Sequence, residues 1–164
     1  MKWVNVSNGY SGDHYELWKN DKKLVSLYIS NHTKTTRIEC ADDKRLFFIE
    51  KKGFLNSRTV IKNEYGILVG EVLGETREAE KGIIELDGKR YEYSFTENTN
   101  GELVIFEENT NNPLVSCNLS SDHDEVAAVA KKSKSLHDTK YPSLLMALCW
   151  YLLKPAEKGT ENLV

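Results

Sequence analysis

Short apolar runs separated by turn-forming clusters recur along most of the chain. The clusters lie at Asn20-Asp21, Asn31-His32, Asp42-Asp43, Lys52-Gly53, 63–66, Gly74-Glu75, Asp87-Gly88, 98–101 and 109–113. Their spacing of about 10–13 residues predicts antiparallel strands in a meander. The runs alternate: Tyr91, Tyr93 and Phe95 share one face of a strand, and Arg90, Glu92 and Ser94 share the other. Asp87-Gly88 between two such runs predicts a two-residue hairpin with positive φ at both positions. Leu24, Ser26 and Tyr28 against Val25, Leu27 and Ile29 predict a strand covered on both faces. Strands are expected at 13–19, 23–30, 34–40, 44–51, 56–62, 67–73, 82–87, 89–96, 102–107 and 113–119.

Two segments differ. Residues 124–131 carry alanines, early acids and late lysines that suit a helix. Alternation of Val126, Ala128 and Ala130 suits a strand equally well in principle, and local propensity leans to helix. Residues 142–153 predict a helix: Pro142 fits its first turn, Pro155 follows its end, and no charge falls between Ser143 and Leu153. Leu144, Leu148 and Tyr151 lie on one face, Leu145, Cys149 and Leu152 on the next, Met146, Trp150 and Leu153 on the third. A helix that is apolar all round must be buried all round. A helix with side chains is about 10–12 Å across, and barrels of more than about eight strands leave a lumen wide enough to hold something. The expected fold is therefore mainly β: a closed antiparallel barrel of about ten to twelve strands enclosing the C-terminal apolar helix 142–153. Residues 12–155 form one domain, with 1–11 and 156–164 as loose ends.

Composition narrows the classes. With 164 residues, 40% apolar and 29% charged, the chain suits one globular domain and neither a disordered nor a coiled-coil protein. A net charge of -3 excludes the basic excess of a general nucleic-acid binder. Cys40, Cys117 and Cys149 make no disulfide framework and read as buried, reduced thiols. No apolar leader stands at the N-terminus, and the run 144–153 is about half the length of a membrane span, which needs roughly 20 residues. A cytoplasmic protein without a transmembrane segment is expected, peripheral at most to a membrane surface.

Several stretches resemble the tubby C-terminal domain-like superfamily, which includes the LURP-one-related proteins and the phospholipid scramblases. They are Thr36-Arg37-Ile38-Glu39-Cys40-Ala41-Asp42-Asp43, 47–52 (Phe-Phe-Ile-Glu-Lys-Lys), 63–72 (Asn-Glu-Tyr-Gly-Ile-Leu-Val-Gly-Glu-Val) and 86–93 (Leu-Asp-Gly-Lys-Arg-Tyr-Glu-Tyr). The closing apolar helix is similar to that family's central helix. These are patterns of turns and alternation rather than catalytic motifs, and they span roughly 12–154. The resemblance implies a barrel of about twelve strands around a C-terminal helix, and it moves 124–131 toward being the last strand.

Candidate chemistry is sparse. His14, His32, His123 and His137 have no metal-ligand spacing, and Asp122-His123-Asp124 reads as a solvated turn. There is no nucleophile elbow, and Gly66, Gly70 and Gly74 read as a turn glycine and close backbone packing rather than a phosphate loop. No cofactor and no catalytic residue are expected. The one charge bias is 44–62, where Lys44, Arg45, Lys51, Lys52, Arg58 and Lys62 face only Glu50. Lys51, Lys52, Arg58 and Lys62 are the candidate anion-binding residues, since cations on a strand surface hold phosphate or an anionic headgroup by charge-assisted hydrogen bonds. The same lysines equally serve to solvate a sheet and blunt its edges. Tubby domains are phosphoinositide binders, so the resemblance points the same way. Trp3, Tyr10, Tyr15 and Trp18 form either a binding patch or the cover of one barrel end. The functional expectation is a non-enzymatic binding or interaction module, its partner an anionic phospholipid or a protein. The alternative is a hollow barrel carrying a small apolar ligand.

Overall fold

The computed structural model describes residues 1–7, 12–30, 32–33, 35–41, 44–52, 58–73, 81–96, 101–119 and 128–153. Twelve strands precede one helix: β1 (Lys2–Asn5), β2 (Asp13–Lys19), β3 (Lys22–Ser30), β4 (Thr35–Cys40), β5 (Arg45–Lys52), β6 (Arg58–Asn63), β7 (Leu68–Leu73), β8 (Lys81–Leu86), β9 (Lys89–Thr96), β10 (Glu102–Glu107), β11 (Pro113–Leu119), β12 (Ala128–Lys132) and α1 (Pro142–Leu153). A 3-10 turn at Lys134–Asp138 links β12 to α1. Each strand pairs antiparallel with its chain neighbour, as a meander requires. The outermost strands, β1 and β12, meet at one register pair, Lys2 opposite Val129.

The alternation in the sequence becomes the two faces of this sheet. On β4, Thr36, Ile38 and Cys40 are buried while Thr35, Arg37 and Glu39 are half-buried or exposed. Asp87 (φ 53°) and Gly88 (φ 76°) make the expected left-handed hairpin turn, and Asn20 and Asp21 make another.

The helix is the organising element. Eight consecutive residues, Ser143 through Trp150, are all buried. That is more than two turns, so burial extends in every direction around the axis. The helix packs on β10 and β11 and also on β3 and β4, which lie far apart in the strand order. Trp150 stacks on Trp3 of β1 (centroids 5.6 Å) and meets Tyr15 of β2 edge-on at 5.2 Å. The Cys149 thiol donates to the Leu103 carbonyl of β10 at 3.4 Å. A sheet that touches one helix from β1, β2, β3, β4, β10 and β11 must curl around it.

Two expectations need correction. Residues 1–11 are not wholly a loose end: Lys2–Asn5 is a strand paired with β2, because Trp3 (0% exposed) gains more from the Trp150 face than from water. Among the described residues no second layer covers the outer face of β3. Ser26 there is shielded between Glu16 and Glu39 of the flanking strands, and Tyr28 stands partly exposed between His14 and Arg37. Within 124–131, where local propensity leans to helix and the resemblance to a last strand, residues 128–131 are strand paired with β11, so tertiary pairing overrides alanine's helical preference. Residues 124–127 and the tail 156–164 lie outside the described residues.

Candidate binding surface

The four predicted anion-binding residues do not share a face. On β5, Phe47 and Ile49 point inward, so Lys51 takes the inner parity at the strand end, opposite Thr59. Lys52 takes the outer parity, directly opposite Arg58, with Lys62 further along β6 on the same side. Three of the four therefore come together on the outer face, and Lys51 turns away from them.

These cations are met by Glu50 and by two carboxylates outside the linear count, Glu64 and Glu71. Glu50 sits between two of them, 2.7 Å from Lys62 Nζ and 3.6 Å from Lys52 Nζ. Arg58 pairs with Glu71 of β7. Arg45 lies 3.3 Å from Glu64. The Lys62 ammonium, hydrogen-bonded to Glu50, holds the Glu50 carboxyl below its ordinary value, and the same bond raises the Lys62 amine. The positive excess along 44–62 is thus partly offset across the sheet by Glu64 and Glu71. An arriving phosphate would have to displace those carboxylates.

A second row runs across the outer face: His14, Tyr28, Arg37, Phe48, Lys62 and Leu68 stand opposite one another on β2 through β7. His14 stacks on Tyr28 at 4.0 Å, and the Arg37 guanidinium lies 5.8 Å from the Tyr28 ring centre. Burial lowers the His14 pKa, outweighing the attraction of Glu16. Tyr28, Arg37 and Ser7 help line an open cleft of about 430 Å³. A second cleft, of about 410 Å³, lies among Lys23, Glu39, Arg45 and Glu64.

The row ends at the β6–β7 turn, which sequence reasoning read only as punctuation. There Tyr65, Ile67 and Leu68 are 78%, 60% and 54% exposed. The signal was available: turns are usually polar, and Tyr-Gly-Ile-Leu is not. The aromatic cluster near the N-terminus divides instead of forming a patch. Trp3 and Tyr15 turn inward, while Trp18 donates its indole N–H to Glu16 at 3.0 Å; Tyr10 lies outside the described residues.

Among the described residues no group of three or more His, Cys, Asp or Glu side chains is placed to hold a metal ion. Among the described residues no helix is long and apolar enough to cross a membrane. What the fold defines is a mainly β protein of twelve antiparallel strands with one C-terminal helix. No family model, curated protein or solved structure matches the chain.

Proposed function

We propose that the sheet closes into a barrel around α1, that the chain belongs to the tubby C-terminal domain-like superfamily, and that it works as a non-enzymatic binding module on its outer surface. The observation that carries this reading is the burial of α1 from Ser143 through Trp150. A helix in the lumen takes the space that a hollow carrier would reserve for an apolar guest, so ligands meet the outer wall. The ligand class is an anionic phospholipid headgroup, bound where Lys52, Arg58 and Lys62 gather and where phosphate exchanges for Glu50 and Glu71. Free, buried cysteines (Cys40, Cys117 and Cys149) fit a reducing compartment, and we place the protein at the cytoplasmic side of a membrane.

Sedimentation with vesicles containing phosphoinositide tests this. Binding is expected to weaken as salt rises, because exposed charges are screened. Lys52→Glu with Arg58→Glu should reduce it about tenfold or more. Salt-insensitive binding, or a double variant that binds like the parent, overturns the headgroup assignment.

A further inference from the structure

Tyr65, Ile67 and Leu68 are the most exposed large apolar side chains among the described residues, and they sit together on one hairpin turn. An isolated exposed apolar residue is ordinary, whereas a contiguous group marks a contact surface. The turn does not use these side chains to hold its shape. Buried Asn63 accepts the Tyr65 and Ile67 N–H groups on Oδ1, each at 3.0 Å. Its backbone carbonyl accepts the Gly66 N–H at 2.9 Å, and its own N–H donates to the Ile67 carbonyl at 3.0 Å. Gly66 supplies the left-handed φ of 75°. Asn63 and Gly66 thus specify a rigid turn whose apolar side chains are left for something outside the molecule.

We propose that this turn is a bilayer-docking element, with Tyr65, Ile67 and Leu68 entering the interfacial region of a membrane rich in anionic lipid. The exposure argues for lipid over protein. Three neighbouring side chains at one turn, 78%, 60% and 54% exposed, enter a fluid bilayer without a shaped partner, whereas a protein would have to supply a matching groove. Tyrosine places an apolar ring and a polar hydroxyl at headgroup depth.

The surrounding charge also fits. Lys62 stands opposite Leu68. The neighbouring Asp87-Gly88 turn is tied to β7 by the Asp87 N–H, which donates to the Val69 carbonyl at 2.7 Å, and it carries Lys89. Among the described residues, Asp87 is engaged by Lys140 and Glu64 by Arg45, as Lys62 is by Glu50. Lysines beside an apolar tip are drawn to an anionic leaflet. This inference rests on the outer-surface lipid reading but assigns a different element, insertion by the turn rather than headgroup capture at Lys52 and Arg58.

The test uses the full chain with Ile67→Cys carrying an environment-sensitive fluorophore. The native cysteines are buried, so labelling of the folded protein goes to position 67. A blue shift on phosphatidylcholine vesicles containing phosphatidylserine is expected, with none from the same label at Glu92→Cys on exposed β9. Ile67→Ser with Leu68→Ser should lower vesicle binding about tenfold or more without changing the unfolding midpoint. Vesicle binding without a shift at position 67 overturns the insertion and leaves the headgroup reading standing. An equal shift when Lys52→Glu and Arg58→Glu are present supports the insertion and removes the headgroup site. No binding to either vesicle removes both. A dimer in light scattering that the double serine variant converts to monomer overturns the proposal in favour of self-association.

Discussion

Glycines four apart, Gly66 and Gly70, hold their places for different reasons. Gly66 has positive φ and open space where a side chain would go. Gly70 has no such φ, but a Cβ there would lie 2.2 Å from the Glu85 carbonyl oxygen and 3.1 Å from Leu86 Cα. Backbone of a paired strand cannot step aside as a side-chain tip can. Gly70→Ala should therefore cost about 1–3 kcal/mol, the range of overpacking, while Gly66→Asn should cost less, since asparagine tolerates left-handed backbone. Urea unfolding of the two variants checks this, and equal losses would contradict it. The reading of these positions as turn and close approach was available from their spacing and neighbours; which carbonyl Gly70 meets was not, because it belongs to β8, fifteen residues away in the chain.

Strand periodicity is strong where each side chain faces either the core or water. The expected 89–96, 102–107 and 113–119 match β9, β10 and β11 residue for residue, and the described part of 56–62 lies within Arg58–Asn63, residues 56 and 57 falling outside the described residues. It fails where contacts come from afar. β1 is four residues with one buried side chain, too short for a pattern, and it exists because Trp3 meets Trp150. β12 exists because β11 has a free edge. The helix tests the whole arrangement. Leu148 is 0% exposed midway along α1, a helix that carries no charged residue. Leu148→Asp should cost several kcal/mol, on the order of ~2–7 for an unpartnered buried polar group, and abolish the native fold as read by circular dichroism. A well-folded variant would mean that α1 has a wet flank.

Across the whole molecule, charge organises by strand pairing rather than by sequence neighbourhood. Glu50, Glu71 and Glu85 lie on one cross-strand path over the outer face, interleaved with Lys62, Arg58 and Arg90. This pairing gives a pH signature. Burial lowers His14 from its ordinary 6.5, so the unfolded chain binds its proton more tightly than the folded one. Stability from His14 is complete above pH 6.5 and declines as pH falls below it. The Glu50 carboxyl is lowered from 4.5 by Lys62; burial raises the Glu16 carboxyl, but Lys23, the Trp18 indole N–H and His14 together outweigh it and lower it from 4.5. Their contribution holds above pH 4.5 and is lost as pH falls further. Thermal unfolding should show two acid-side declines, with His14→Gln removing the upper one. A flat profile between pH 7 and 5 in the parent would contradict the His14 assignment.

Local chemistry alone determined the strands β2 to β11, their turns and the need to bury the 142–153 segment, because alternation, left-handed turn residues and an uncharged helix act within a few residues. It also brought Arg58 and Lys62 onto one face, since parity within a strand is local. Tertiary structure decided what each cation meets, that Lys51 faces away, that Lys2–Asn5 and residues 128–131 are strands, and that Tyr65, Ile67 and Leu68 stay in water. Those outcomes depend on register between strands, and register couples residues that the chain itself holds far apart.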